Sequence, residues 1–261
     1  MVSWLNNRAP VNGVFRISSG DKFAGSGKLY LEVRKREGRL YTDEEVRSLP
    51  KISTASRYHS EWHIRGYSAR KIIQYLSKKK HLSNILELGC GNGWFANQLT
   101  KIPGCNVAAM DVNLYELEQG ARVFSSNDRL NFIYADIFEM KNTDAKFDAI
   151  ILASSIQYFP EVKNLLNLLL QFCAAEGEIH IIDSPFYSAS ELLNAKQRTE
   201  KYYRDLGFPE MSRYYHHHTH DELSGFKVSK LYNPASFYNR ISGSVLHLPL
   251  SPFPWLKITA R

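Results

Sequence analysis

The chain has 261 residues, 44% of them hydrophobic and 23% charged, which excludes a disordered polyelectrolyte and suffices for one large domain with appended segments. Its formal charge of +7 leans toward anionic partners, but acids are interspersed throughout, so nucleic-acid binding is possible and not favoured. Three cysteines (Cys90, Cys105, Cys173) without short spacing exclude a disulfide scaffold, residues 1–10 lack the apolar core of a signal peptide, and the most apolar runs (149–156 and 165–172) are too short for a bilayer, so a cytoplasmic protein without a membrane partner is expected.

Residues 1–57 form a leader unlike the rest. Val14 to Ile17 and Lys28 to Val33 each fit a short strand, separated by the Gly- and Ser-rich stretch from Ser18 to Gly27. Thr42 and Glu45 form a capping-box pair for a short helix that Pro50 closes. The run Arg34-Lys-Arg36 reads as a solvated face, with a binding patch as the alternative. Next, Ala69, Ile72, Ile73 and Leu76 recur at helical spacing, so residues 61–79 predict an amphipathic helix.

From there strands and helices alternate. Strands are expected at 84–88, 106–110, 130–134, 147–153 and 178–182, with helices around Phe95 to Leu99 and over 114–124 and 162–174. The strands are apolar on both faces, as a helix-covered parallel sheet requires. This alternation indicates right-handed βαβ units and an open α/β sheet. A polar helix is expected over 188–206, stopped by Gly207, and the last strand candidates are 226–232 and 255–260.

The most informative segment is Ile85-Leu-Glu-Leu-Gly-Cys-Gly-Asn-Gly93: an apolar strand with an acid near its end, then three glycines at alternate positions. Glycines there let the backbone turn sharply and approach a ligand. A dinucleotide site needs G-x-G-x-x-G; here bulky Trp94 stands in the place of the third glycine, and Glu87 would repel a pyrophosphate but suit a cationic amino-acid moiety.

The segment resembles the first motif of class I S-adenosylmethionine-dependent methyltransferases, and the resemblance extends in ordered motifs over about residues 60–183. It implies a doubly wound, mainly parallel seven-stranded sheet (a Rossmann-like methyltransferase fold), with the leader and an insertion at 184–225, after the fifth strand, as acceptor-side cover. It implies S-adenosyl-L-methionine as cofactor and S-adenosyl-L-homocysteine as product. Glu87, Gly89, Cys90, Gly91 and Gly93 would surround the methionine part. Asp111, followed by Val112, would meet the ribose hydroxyls. Asp136 and the backbone of Ile137 would meet adenine, and Ser154 would lie beside the transferred methyl group. Arg65 would pair with the methionine carboxylate, with Trp62 and His63 nearby; equally, Trp62 packs the helix to the sheet and Arg65 is solvated. Gln157 and Tyr158 neighbour the cofactor or acceptor, or only shape their loop.

No Asn-Pro-Pro-Tyr segment follows the fourth strand, as base-amine methylation would want. The expected reaction is therefore methyl transfer to an oxygen or nitrogen of a small-molecule acceptor; RNA or protein methylation, and a non-catalytic cofactor-binding protein, are the alternatives. The segment Tyr214-Tyr-His-His-His-Thr-His220 has three open readings: an acceptor-side cluster with His216 and His218 as catalytic pair beside Tyr214 and Tyr215, a metal site, or a surface loop. No metal is assigned. Thr219 and Glu222 form a second capping box.

Overall fold

A computed structural model describes residues 5, 8–18, 23–140, 144–236 and 249–260; residues 1–4 of the leader and 19–22 of the Gly- and Ser-rich stretch lie outside the described residues. The expected parallel core is present. Strands β2 (Asn84–Leu88), β3 (Asn106–Asp111), β4 (Leu130–Tyr134), β5 (Phe147–Ala153) and β6 (Cys173–Ile182) pair in parallel, and β8 (Trp255–Thr259) runs antiparallel between β6 and β7 (Lys227–Tyr232). The order is β1-β4-β3-β2-β5-β6-β8-β7. Eight strands replace the seven expected, because β1 (Val14–Arg16) of the leader joins the sheet edge in parallel with β4.

Helices cover both faces because their apolar residues recur at helical spacing. On α6 (Val162–Phe172), Val162, Leu165, Leu166 and Leu169 are fully buried or nearly so in one of the two main cores. On α3 (His59–Leu76), Trp62, Ala69, Ile72 and Leu76 enter the other, beside α4 (Trp94–Leu99) and α5 (Leu114–Val123). Both expected capping boxes are formed: Thr42 opens α2 (Asp43–Ser48), and Thr219 opens the 3₁₀ turn His220–Leu223.

One element is a correction. Residues 28–33 are helical, within α1 (Ala24–Glu37), which ends at Gly38 in the left-handed conformation. Leu29, Leu31 and Val33 alternate well enough for a strand, but Leu29, Tyr30 and Val33 share one helical face. That face packs on Tyr203 of α7 (Ala189–Leu206) and on Met211 of the 3₁₀ turn Pro209–Tyr214, forming a small third core. Leader and insertion thus meet over the C-terminal strand ends. Glu37 ties them further, accepting from Arg34 and from the Tyr202 hydroxyl on α7.

Candidate cofactor and acceptor site

In an open α/β sheet the ligand crevice lies where strand order reverses, here between β2 and β5. The loop after β2 is shaped by glycine at both ends. Gly89 has φ +78°, and a Cβ there would stand 2.4 Å from Ser155 Cβ, so the loop packs directly against the turn after β5. Gly93 has φ +71°, and its Cβ would stand 2.4 Å from the Phe132 ring. Gly93 therefore serves packing at the start of α4: of the eleven residues expected to hold the cofactor, it alone does not line the cavity.

That cavity, about 460 Å³, is lined by Glu87, Gly89, Cys90, Gly91, Asp111, Val112, Asp136, Ile137, Ser154 and Arg65. Glu87 is 3% exposed, and its Oε2 has no hydrogen-bond partner among the described residues. Burial pushes its carboxyl well above the usual range and Asp111 adds to this, against the Ala96 N–H and Arg65. Asp111 Oδ2 accepts from the Gly91 N–H and Oδ1 from the Asn113 N–H, each at 2.8 Å. Burial raises its pKa while these donors hold it down. The Asp136 side chain accepts from the Phe138 N–H at 3.0 Å, and the Asp136 N–H donates to Ser18 Oγ at 2.9 Å, tying the leader to the end of β4.

The leader supplies a basic wall. Arg39 makes two hydrogen bonds to Glu61, the longer 2.9 Å, and Arg65 approaches the same carboxylate at 3.1 Å over the Trp62 ring. Arg39 Nε also lies 3.5 Å from Glu37 Oε2, whereas Nε of Arg65 is buried without a hydrogen-bond partner among the described residues. A carboxylate brought into the cavity would find donors there. Trp62 combines both alternatives, packing edge-on against Trp94 at 5.2 Å while lining the cavity. Arg34 corrects the surface reading of its run: it lies over Tyr30 at 4.7 Å, bonds Glu37 and lines the cavity, whereas Lys35 and Arg36 are exposed.

Of the acceptor-side expectations, Tyr158 and Tyr214 line the cavity, and His63, Gln157 and Tyr215 do not. His63 is exposed beside His59. Gln157 is buried, its side-chain amide donating to the Ser154 carbonyl and its backbone carbonyl accepting the His216 N–H, both at 2.7 Å. Tyr215 stacks edge-on behind Tyr158 at 6.2 Å.

Neither His216 nor His218 lines the cavity. His218 is 2% exposed, with Nδ1 3.1 Å from Glu222 Oε2 and Nε2 3.2 Å from the Ile156 carbonyl, so it braces the Ile156–Tyr158 turn from behind. No group of three or more His, Cys, Asp or Glu suited to a metal occurs among the described residues.

Sequence reasoning missed Tyr30, Arg34, Glu116 and Asp183, all lining the cavity. Asp183 was the findable one: like Asp111, it is an acid at a strand's C-terminal end. Ser68 Oγ donates to it at 2.8 Å, and burial raises its pKa. Glu116, in the first turn of α5, reads in sequence only as an acid suited to a helix start.

Residues 85–177 match a family model described as a methyltransferase domain. The chain is 30% identical over 117 residues to malonyl-[acyl-carrier protein] O-methyltransferase 2 of Ilyobacter polytropus, covering 44% of this chain and 45% of that protein. It is 25% identical over 118 residues to the sterol 24-C-methyltransferase of Debaryomyces hansenii, covering 43% and 31%. The matched stretches thus span less than half the length of these relatives. The plantazolicin methyltransferase BpumL, solved with a monoazolic desmethylPZN analog and SAH, aligns over 92% of both chains with a TM-score of 0.56 at 17% identity, a likeness of fold. Among the described residues no helix is long and apolar enough to cross a membrane.

Proposed function

We propose, from the premise that residues 85–177 are a class I S-adenosylmethionine-dependent methyltransferase domain, that this chain moves a methyl group to a nitrogen or oxygen of a small acceptor. One observation carries the reading: the glycine loop and the acids at the ends of β2, β3 and β4 converge on a single cavity. The donor set fits the cofactor. Unpartnered Glu87 Oε2 suits a cationic group, the Arg39 and Arg65 wall suits a carboxylate, and Asp111 suits hydroxyls.

When bound, the sulfonium supplies an electrophilic methyl group, and direct displacement then depends on alignment. The chain's part is to orient and to exclude water. Tyr30, Tyr158, Tyr214 and Met211 form an apolar, mainly aromatic wall between leader and insertion, suited to a small apolar or aromatic acceptor. Asp183 is the acceptor-side carboxylate of this reading. It holds an N–H or O–H of the acceptor, and its side chain takes the proton released as the heteroatom is alkylated.

Calorimetric titration with S-adenosylmethionine and S-adenosylhomocysteine, with NAD as control, tests the reading. Micromolar binding of the first two alone, followed by turnover in a screen of amines and phenols, supports it. A chain that binds neither sulfur nucleotide is not a methyltransferase.

A further inference from the structure

Glu116 has no part in the cofactor set that the motif resemblance implies. It stands at the third position of α5, opposite Gly91, where the carboxyl would be 3.4 Å from a Cβ on that glycine. Asp111 reaches the same glycine through the Gly91 N–H at 2.8 Å. Two carboxylates therefore flank one residue of the loop, both lining the cavity.

Their circumstances differ. Both Asp111 oxygens already accept a backbone N–H. The Glu116 carboxyl faces the cavity, and burial and the charge of Asp111 push it up to about 7, with Arg34 and Arg65 opposing and no hydrogen bond contributing. A desolvated carboxyl beside a like charge is unfavourable in the bare fold, and the native fold tolerates it at a functional site. Hydroxyl donors brought between the two acids would relieve the repulsion and stabilise the ionised form.

We propose that Glu116 is a second carboxylate for the cofactor's ribose, sharing the vicinal hydroxyls with Asp111. The assignment rests on the methyltransferase reading. It bears on Gly91 as well: a Cβ there would stand against the Glu116 carboxyl, at 3.4 Å from one oxygen and 3.7 Å from the other. Arg34, on the roof helix α1, faces the same carboxylate, so roof and cofactor site are coupled electrostatically.

The test is calorimetric titration of the unaltered chain and of Glu116→Gln with S-adenosylhomocysteine and its 2′-deoxy and 3′-deoxy counterparts, with thermal unfolding of both proteins without ligand. Glu116→Gln is expected to bind S-adenosylhomocysteine about tenfold or more weakly, the loss of one hydrogen bond to a charged acceptor. It should also lose most of the penalty that the unaltered chain shows against one deoxy counterpart, and it should unfold at the same temperature or higher. Glu116→Met, which fills the space without charge, should behave alike.

Unchanged affinity in both variants, or deoxy penalties equal to those of the unaltered chain, overturns the inference and leaves the methyltransferase reading standing. Failure of the unaltered chain to bind S-adenosylhomocysteine overturns the reading and the inference together.

Discussion

Ser154 and Asp183 are the two non-glycine residues of the cavity wall held at positive φ, +55° and +51°, and Ser154 Oγ donates a 3.0 Å hydrogen bond to the Asp183 carbonyl. They end the neighbouring strands β5 and β6, whose parallel register runs through Ala153 and Ile182. A left-handed conformation disfavours residues with a Cβ, by about 1–3 kcal/mol each, and persists where surrounding structure over-determines it. Two such residues bonded to each other in one cavity are where the proposed function puts the acceptor.

Asp183→Asn should therefore separate function from stability. Burial raises the folded-state pKa of Asp183 above its ordinary value. The sign follows: a raised carboxyl pKa means that ionisation destabilises the fold as pH rises above the ordinary carboxylate range. At neutral pH the neutral amide should leave the thermal midpoint unchanged or higher. Turnover should fall about 10²-fold if Asp183 takes the proton, with S-adenosylhomocysteine affinity kept. Full turnover of a known acceptor by the variant would return Asp183 to a structural part.

Asp111→Asn tests the ribose side. An amide can keep one of the Gly91 and Asn113 hydrogen bonds but not both, since its nitrogen cannot accept. Affinity for S-adenosylhomocysteine should drop at least about tenfold, from the lost charge and the loosened loop together. Calorimetry reads this directly, and unchanged affinity would remove Asp111 from the cofactor set.

How far the sequence carries depends on whether a residue's partners are local. The loop from Glu87 to Gly93 was legible because its glycines answer to the strand-turn-helix they sit in, and Gly89 and Gly91 do line the cavity. Gly93 has the same local signature, but its neighbour is Phe132, thirty-nine positions on, so packing could not be told from ligand contact. Arg34 read as surface because its run looks solvated in isolation; its contact with Tyr30 and its place over the cavity exist only once α1 packs on α7 and Met211. His218 is a similar case: its ring partners are Glu222 and the Ile156 carbonyl, and the second of these lies 62 residues away.

His218→Ala should accordingly destabilise rather than inactivate at the chemical step. It removes a buried ring that bridges Glu222 and the Ile156 carbonyl, leaves a cavity there and leaves that carbonyl with the Phe159 N–H alone, a loss of about 1–3 kcal/mol. Urea unfolding should show the loss, while S-adenosylhomocysteine affinity stays within about twofold of the unaltered chain at temperatures where the variant is folded. A stable variant without turnover would restore a catalytic part for His218.

Gly93→Ala should destabilise more. The new methyl group would stand 2.4 Å from one Phe132 ring carbon and 2.7 Å from another, in a left-handed backbone that alanine disfavours. Overpacking of this kind amounts to about 1–3 kcal/mol, with about 1 kcal/mol more for the backbone. The pairing Phe132→Leu with Gly93→Ala should recover part of the loss; no recovery would mean that the backbone conformation alone decides.

The far side of the sheet offers a pH test independent of the cofactor. Glu178, 5% exposed on β6, accepts from the Tyr75 hydroxyl and pairs with Lys79, Lys257 and His180 at 2.9, 3.2 and 3.3 Å. Burial alone would raise its pKa, but His180 and the two lysines lower it to about 2. A depressed carboxyl pKa contributes stability that is fully present above about 4.5 and lost as pH falls toward about 2. Glu178→Gln should therefore unfold at a lower temperature than the unaltered chain at pH 7, and the gap should close between pH 4.5 and pH 2. Because the network joins α3, β6 and β8 rather than the cavity, S-adenosylhomocysteine affinity should not follow the same curve. A gap that stays constant through the acid range would mean that the lysines and His180 stabilise the fold by packing, and that the charge on Glu178 contributes nothing.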